Sequence, residues 1–160
     1  DTSPAVRRIL SVENALGVCK PRTLGRLQRD ADDHVRSLRG WLDTMHGHGR
    51  RVYAYGAASR AVALFSRAGV DRQLVGGVAD VSRAKQGRRM PGTDVPIISP
   101  EQLVDEDPDW VLLTLPDLLP EIRTKYPALD GRWILDLPSI PIGGDEEWRS
   151  GRSTSHPCSG

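Results

Sequence analysis

The chain has 160 residues, with 22 lysines and arginines against 21 aspartates and glutamates, for a formal net charge of +1. That balance gives no global attraction to nucleic acid or to a membrane surface, and no apolar run approaches the roughly 18 residues that a spanning helix needs. The length suits one domain with a real core, while an apolar fraction of 38% leaves part of the chain outside it.

Taken in chain order, the first strong pattern is a long helix over residues 22–48. Leu24, Leu27, Ala31, Val35 (or His34), Leu38, Leu42 and Met45 recur at three- and four-residue steps between charged residues. Thr23 is the expected N-cap, and the glycines of "HGHG" are the expected stop. Some 23 helical residues span about 34 Å, a length that suits packing against a neighbouring domain or subunit. From residue 51 strands and helices alternate. "RVYAY" (51–55) reads as a strand, "AASRAVALFSRAG" (57–69) as a helix closed by Gly69, and "LVGGVAD" (74–80) as a second strand. "VPII" (95–98) is a short extended piece. Ser99, Pro100 and Glu101 then open a short helix through Leu103. "WVLLTL" (110–115) is the continuous apolar run of a strand covered on both faces. "DLLPEIRTKY" (117–126) reads as a helix with Pro120 in its first turn, and "RWILDL" (132–137) as a last strand. The alternation predicts an α/β fold, a Rossmann-like parallel sheet with flanking helices, preceded by the long helix. The expected organisation is an N-terminal segment (1–49), a sheet domain (50–140) and a flexible tail (141–160) rich in Gly, Ser and Pro.

Few residues point to chemistry. Gly56 follows the first strand, where a backbone without Cβ lets a phosphate or sugar approach the amides of the next helix. Ala58 and Ala61 stand where a dinucleotide fingerprint would have further glycines. Asp80 ends the second strand, the place of an acid that bonds a ribose hydroxyl in dinucleotide folds or simply caps the following turn. Lys85, Arg88 and Arg89 surround Gly87, so cations and backbone amides can converge there, with Arg89 expected to face solvent. Only three of the 22 cations are lysine, and this arginine bias lowers the weight of any single Arg. Ser59 has no identifiable base, His46 and His48 lack companion metal ligands, and Cys19 and Cys158 read as two reduced thiols. The N-terminus has no signal-peptide pattern, so the expected location is cytoplasmic. The chain starts at Asp1 without methionine, which suggests a fragment of something longer.

"YGAASRAVALFSRAGV", "VADVSRAKQGRRMPGTDVPIISPEQL" and "DPDWVLLTLPDLLPEI" together resemble the carboxyl-terminal domain of the sugar C-methyltransferases. The resemblance is carried by Tyr55, Gly56 and Ala57; by Asp80; by Lys85, Gln86, Gly87 and Arg88; by Pro91, Gly92 and Thr93; and by Pro108 and Asp109. It covers about residues 9–140, including "SVENALGV" and the long helix. The family often has an aromatic and Asn-containing turn after the strand at 110–115, where this chain has "TLPDLL". The resemblance implies an S-adenosylmethionine-dependent enzyme of antibiotic biosynthesis that acts on nucleotide-linked deoxysugars, in three parts: a zinc module, a methyl-donor domain and this domain. It further implies that this chain binds no cofactor, that S-adenosylmethionine and zinc belong to upstream domains, and that the partners are the nucleotide sugar and an upstream domain or subunit meeting the helix at 22–48. Substrate contacts are expected from Tyr55, Gly56, Ala57 and Ser59 on the turn, and from Asp80, Lys85, Arg88 and Thr93 on the loop. In this reading Lys85 and Arg88 approach a diphosphate and Asp80 a ribose or sugar hydroxyl. Two other readings stay open: an NAD- or UDP-sugar-binding Rossmann module of a sugar-modifying enzyme, and a non-enzymatic docking domain.

Overall fold

The computed structural model describes residues 3–17 and 20–135. The expected tail at 141–160, Cys19, Cys158, His156 and the last two residues of segment 132–137 lie outside the described residues.

The chain begins with two helices, α1 (Pro4–Leu16) and α2 (Pro21–Gly47). The first has no counterpart among the elements read from the sequence. Ser3 caps it, accepting from the Val6 amide, and Gly17 ends it in a left-handed conformation at φ 65°. α2 starts earlier than its expected cap. Pro21 takes the first helical positions, where its missing N–H costs nothing, so Lys20 is the N-cap and Thr23 lies inside the helix. Gly49, at φ 66°, provides the stop: its amide donates to His46 and the Arg50 amide to Met45. Only the second half of α2 packs on the domain. Leu38, Trp41 and Leu42 are buried, whereas Leu24 and Leu27 are exposed.

Five parallel strands follow: β1 (Val52–Tyr55), β2 (Val78–Ala79), β3 (Ile97–Ile98), β4 (Trp110–Leu113) and β5 (Trp133–Leu135), in the spatial order β3-β2-β1-β4-β5. The extended piece at 95–98 therefore contains a strand, limited to Ile97–Ile98. β2 is shorter than segment 74–80 because Gly76 and Gly77 precede it. The Tyr53 ring lies 2.6 Å from where a Cβ on Gly76 would stand, so this stretch must be free of side chains. Ladder bonds nonetheless continue through both glycines, from Gly76 N–H to the Val52 carbonyl and from Ala54 N–H to the Gly77 carbonyl.

Side chains alternate across the sheet and fill two cores. Val52, Ala54, Val78, Leu112 and Ile134 face α2 and α3 (Ser59–Ala68), packing with Leu38, Phe65 and Met90. Tyr55, Ala79, Val111 and Leu113 face α4 (Pro100–Asp105) and α5 (Leu119–Lys125), packing with Leu103, Ile122, Tyr126 and Leu129. α4 opens on a full capping box between Ser99 and Gln102 with Pro100 behind it. Arg39 of α2 donates to the Ala68 and Gly69 carbonyls, satisfying the end of α3 with a cation where the helix dipole favours one. At the amino-terminal edge of the sheet, Asp109 accepts from the Arg51 amide at 2.8 Å and from the Arg50 guanidinium at 3.1 Å, which aligns the start of β4 with that of β1. Burial pushes the Asp109 carboxyl upward, but those donors and charges outweigh it and hold it below its ordinary range.

Residues 81–95 are ordered rather than loose. The Lys85 and Gln86 amides turn back onto the Ser82 carbonyl, and Gly87 sits at φ 77°. Residues 87–90 then run antiparallel to 95–97, joined by bonds from Gly87 to Ile97, Ile97 to Arg88 and Met90 to Val95. This ribbon covers the outer edge of β3. Its tip rests on the far end of α3, where a Cβ on Gly92 would meet Ser66 Oγ at 2.8 Å.

Candidate functional site

In this strand order the chain moves from β1 outward to β2 and β3, then returns to β4 on the other side of β1. The reversal places a crevice at the carboxyl ends of β1 and β4, the usual ligand position in open α/β sheets. The residues there are Gly56–Ser59 from the first turn, Thr114 and Leu115 from the second, and Asp80 with Lys85 beside them.

Asp80 organises the turn. Its carboxylate accepts from the Ala57 amide, the Ser82 amide and Lys85 Nζ, each at 2.9 Å, and the residue is only 7% exposed. Its carbonyl accepts from Gln86 Nε2 at 2.9 Å. Lys85 Nζ also donates to the Ala57 carbonyl at 2.9 Å. An ammonium has three donors, so one Lys85 N–H remains for a ligand, on a side chain that is 44% exposed. Burying a carboxylate is tolerable only with partners of this kind. The acid at the strand end and the lysine five residues on are thus a pair locking the loop to the turn, with three of the carboxylate's acceptor positions filled before any ribose arrives.

Gly56 has φ 100°, and a Cβ there would stand 2.7 Å from Thr114 Oγ1 and 3.2 Å from Leu115 Cδ1. The space that glycine leaves is therefore filled by the neighbouring strand and not by an approaching phosphate. Thr114 is 1% exposed, and its hydroxyl points between the Gly56 and Tyr55 carbonyls, at 2.7 and 3.1 Å. The open part of the turn lies just beyond: α3 begins at Ser59 without a side-chain cap, and Ser59 is exposed.

Of the eight residues expected to contact substrate, the fold gathers Gly56, Ala57, Asp80 and Lys85 into this hydrogen-bonded cluster and leaves Ser59 at its mouth. Tyr55 turns away. Its ring packs against Tyr126 and Trp133 with centroids 6.0 and 5.9 Å apart, and burial first, then the Tyr126 phenol, raises its ionisation. Arg88 is exposed in the ribbon outside β3, as is Arg89, at the sheet's outer flank. Thr93 lies at the tip of that ribbon, where its hydroxyl donates to the Met90 carbonyl and accepts from the Val95 amide. Neither Thr114 nor Ser82 is among the candidates that the sequence offers. A serine two residues after a strand-end acid is a recognisable turn signal, whereas nothing local announces a threonine 58 residues away from its acceptor.

Among the described residues no group of three or more His, Cys, Asp or Glu could hold a metal ion. No described helix is long and apolar enough to cross a membrane.

The sequence profile of the C-methyltransferase C-terminal domain matches residues 1–138. A curated relative, "C-methyltransferase NovU" of Streptomyces niveus, is 32% identical over 141 residues. The match covers 86% of this chain and 34% of the relative. The chain spans about a third of the relative's length.

Proposed function

Because the chain belongs to the C-methyltransferase C-terminal domain family, we propose that it supplies one wall of the nucleotide-sugar site in a cytoplasmic, S-adenosylmethionine-dependent sugar C-methyltransferase of antibiotic biosynthesis. The methyl donor and any structural zinc would be held elsewhere in such an enzyme, and no step of the reaction is assigned to this domain. The observation that carries the reading is the half-exposed Lys85 ammonium, fixed beside the uncapped start of α3 at the switch-point crevice.

A diphosphate at this position meets three kinds of donor: the backbone amides at the start of α3, the Ser59 hydroxyl and the third N–H of Lys85. Because Asp80 and the Ala57 carbonyl already hold the lysine in place, little side-chain entropy is lost when the anion arrives. Arg88 contributes from the flank as a screened, long-range attraction. The occupied Asp80 carboxylate and the filled space beside Gly56 count against a dinucleotide and in favour of a ligand held through its phosphates.

Calorimetric titration of the 160-residue chain with a thymidine-diphosphate deoxysugar, a uridine-diphosphate sugar, NAD and S-adenosylmethionine tests this. The expectation is sugar-nucleotide binding that weakens with salt, and S-adenosylmethionine binding no tighter than millimolar. A charge-assisted hydrogen bond contributes roughly 1.5–3 kcal/mol, so Lys85→Ala should weaken sugar-nucleotide binding by about ten-fold or more. Ser59→Ala should cost less, and Arg88→Ala should mainly flatten the salt dependence. Micromolar S-adenosylmethionine or NAD binding without sugar-nucleotide binding, or unchanged affinity in both Lys85→Ala and Ser59→Ala, would refute the reading.

A further inference from the structure

Eight large hydrophobic side chains are exposed among the described residues, and all but Val81 lie in α1 or the first two turns of α2. α1 buries none of its residues. Its apolar stripe includes Ile9, Leu10 and Leu16, the last 70% exposed, and α2 adds Leu24 and Leu27. An isolated helix of 13 residues is marginal in water, and a concentrated apolar face of this kind marks an interaction surface. The profile match begins at residue 1, so this face belongs to the family module.

The geometry points to a specific occupant: we infer that α1 and the first turns of α2 dock onto the amino-terminal portion of the methyltransferase polypeptide, through an apolar groove with a carboxylate-rich rim. Three observations on the chain select it over a second copy. The family is described as a C-terminal domain, and the match accounts for only 34% of the relative, so about two thirds of such a polypeptide is available as a partner. The second half of α2 is already anchored to the sheet by Leu38, Trp41 and Leu42, and the first half of the same helix continues from that anchor with Leu24 and Leu27 uncovered. Residues 3–29 carry six cations (Arg7, Arg8, Lys20, Arg22, Arg26 and Arg29) against the single carboxylate of Glu13, and among the described residues only Arg26 of the six is ion-paired along the helix, with Asp30. A two-fold dimer would set like charges against each other across the seam, whereas an acidic rim complements them. The helix expected to meet an upstream domain thus does so with its first half only, and shares that role with α1. This inference rests on family membership and not on the sugar-nucleotide reading, and its test involves no nucleotide.

Hydrogen exchange read by mass spectrometry decides it. The first sample is the 160-residue chain, and the second is the full-length Streptomyces niveus enzyme with its matched segment replaced by this chain. In the chain alone, α1 and the first turns of α2 should exchange at nearly unprotected rates while β1 and β4 stay protected, and light scattering should show a monomer. In the replaced enzyme the same two segments should slow by at least ten-fold. Ile9→Glu with Leu10→Glu should restore fast exchange there without changing β1 or β4, and should leave the melting temperature of the isolated chain unaltered. Strong protection of α1 in an isolated monomer would overturn the inference, because the helix would need no partner. Equal exchange in both samples would do the same. A concentration-dependent dimer dissolved by those substitutions would assign the surface to a second copy instead.

Discussion

Replacing Gly56 by alanine should destabilise the fold by about 2–4 kcal/mol, and the cause is local enough to be separated by a second substitution. A non-glycine residue held at φ 100° costs roughly 1–3 kcal/mol of backbone strain. The new Cβ would also stand 2.7 Å from Thr114 Oγ1, which has no room to retreat because the residue is 1% exposed. Displacing that hydroxyl from the Gly56 and Tyr55 carbonyls forfeits a buried hydrogen bond, about 0.5–1.5 kcal/mol more, while each carbonyl keeps a backbone donor in the Ala58 and Thr114 amides. Thr114→Ala alone gives up the hydroxyl and should cost about 1–2 kcal/mol. In the double variant the collision is gone, so its cost should fall below the sum of the single costs by about 1–2 kcal/mol. Urea unfolding of the four proteins, followed by circular dichroism, measures this coupling. Additivity within about 0.5 kcal/mol, the range expected of independent sites, would show that Thr114 does not enforce the glycine and would return Gly56 to a ligand-facing role.

Asp109→Ala should destabilise by about 1–3 kcal/mol, since it leaves the Arg51 amide without its acceptor. With a folded-state carboxyl held below its ordinary range, the contribution of Asp109 is present above that range and lost as pH falls through it, so Asp109→Asn should flatten the acid side of a stability–pH curve. Tyr53 is pushed up to about 12, by burial first and then by its 2.8 Å bond to Glu106. The folded state therefore retains a proton that the unfolded chain releases near pH 10, and stability should decline between about pH 10 and 12. Phenolate absorbance that rises at the ordinary tyrosine pH in folded protein would contradict this. Trp41→Ala should cost about 3–5 kcal/mol as a core truncation, against less than about 0.5 for Leu24→Ala on the same helix; equal losses in thermal melts would mean that α2 packs along its whole length.

The sequence displayed the strands and the second and third helices well, because their burial follows local periodicity. β4 is nearly all apolar and β1 is built of β-formers, and both faces of the sheet are covered. The α2 periodicity runs through Leu24 and Leu27 and omits Trp41, because periodicity identifies an apolar face without saying how much of it the same domain covers. α1 escaped notice since its apolar residues serve no core within the described chain. The site was legible as a set of residue types and illegible as geometry. Asp80 and Lys85 stood out as chemistry, yet each is mainly the other's partner. Arg88 and Thr93 share the lysine's loop but are carried down the outside of β3 by a ribbon whose pairing depends on contacts with Ile97 and Val95.

That ribbon bears on how the domain tolerates changes in chain length. Residues 81–95 hold no helix and would pass for a place to insert a tag or a split point. Yet the stretch is tethered at one end by Lys85 and Gln86 to Asp80, along its length by backbone pairing with 95–97, and at its tip by Gly92 against Ser66 and by Asp94 accepting the Arg72 amide. Met90 and Val95 face each other across it with almost no exposed surface. Adding one residue would shift the pairing register and turn one of these two side chains outward. Residues 81–95 are therefore a poor site for insertion, and an engineer would do better at the turn around Gly131, which is exposed and has open space beside its Cα.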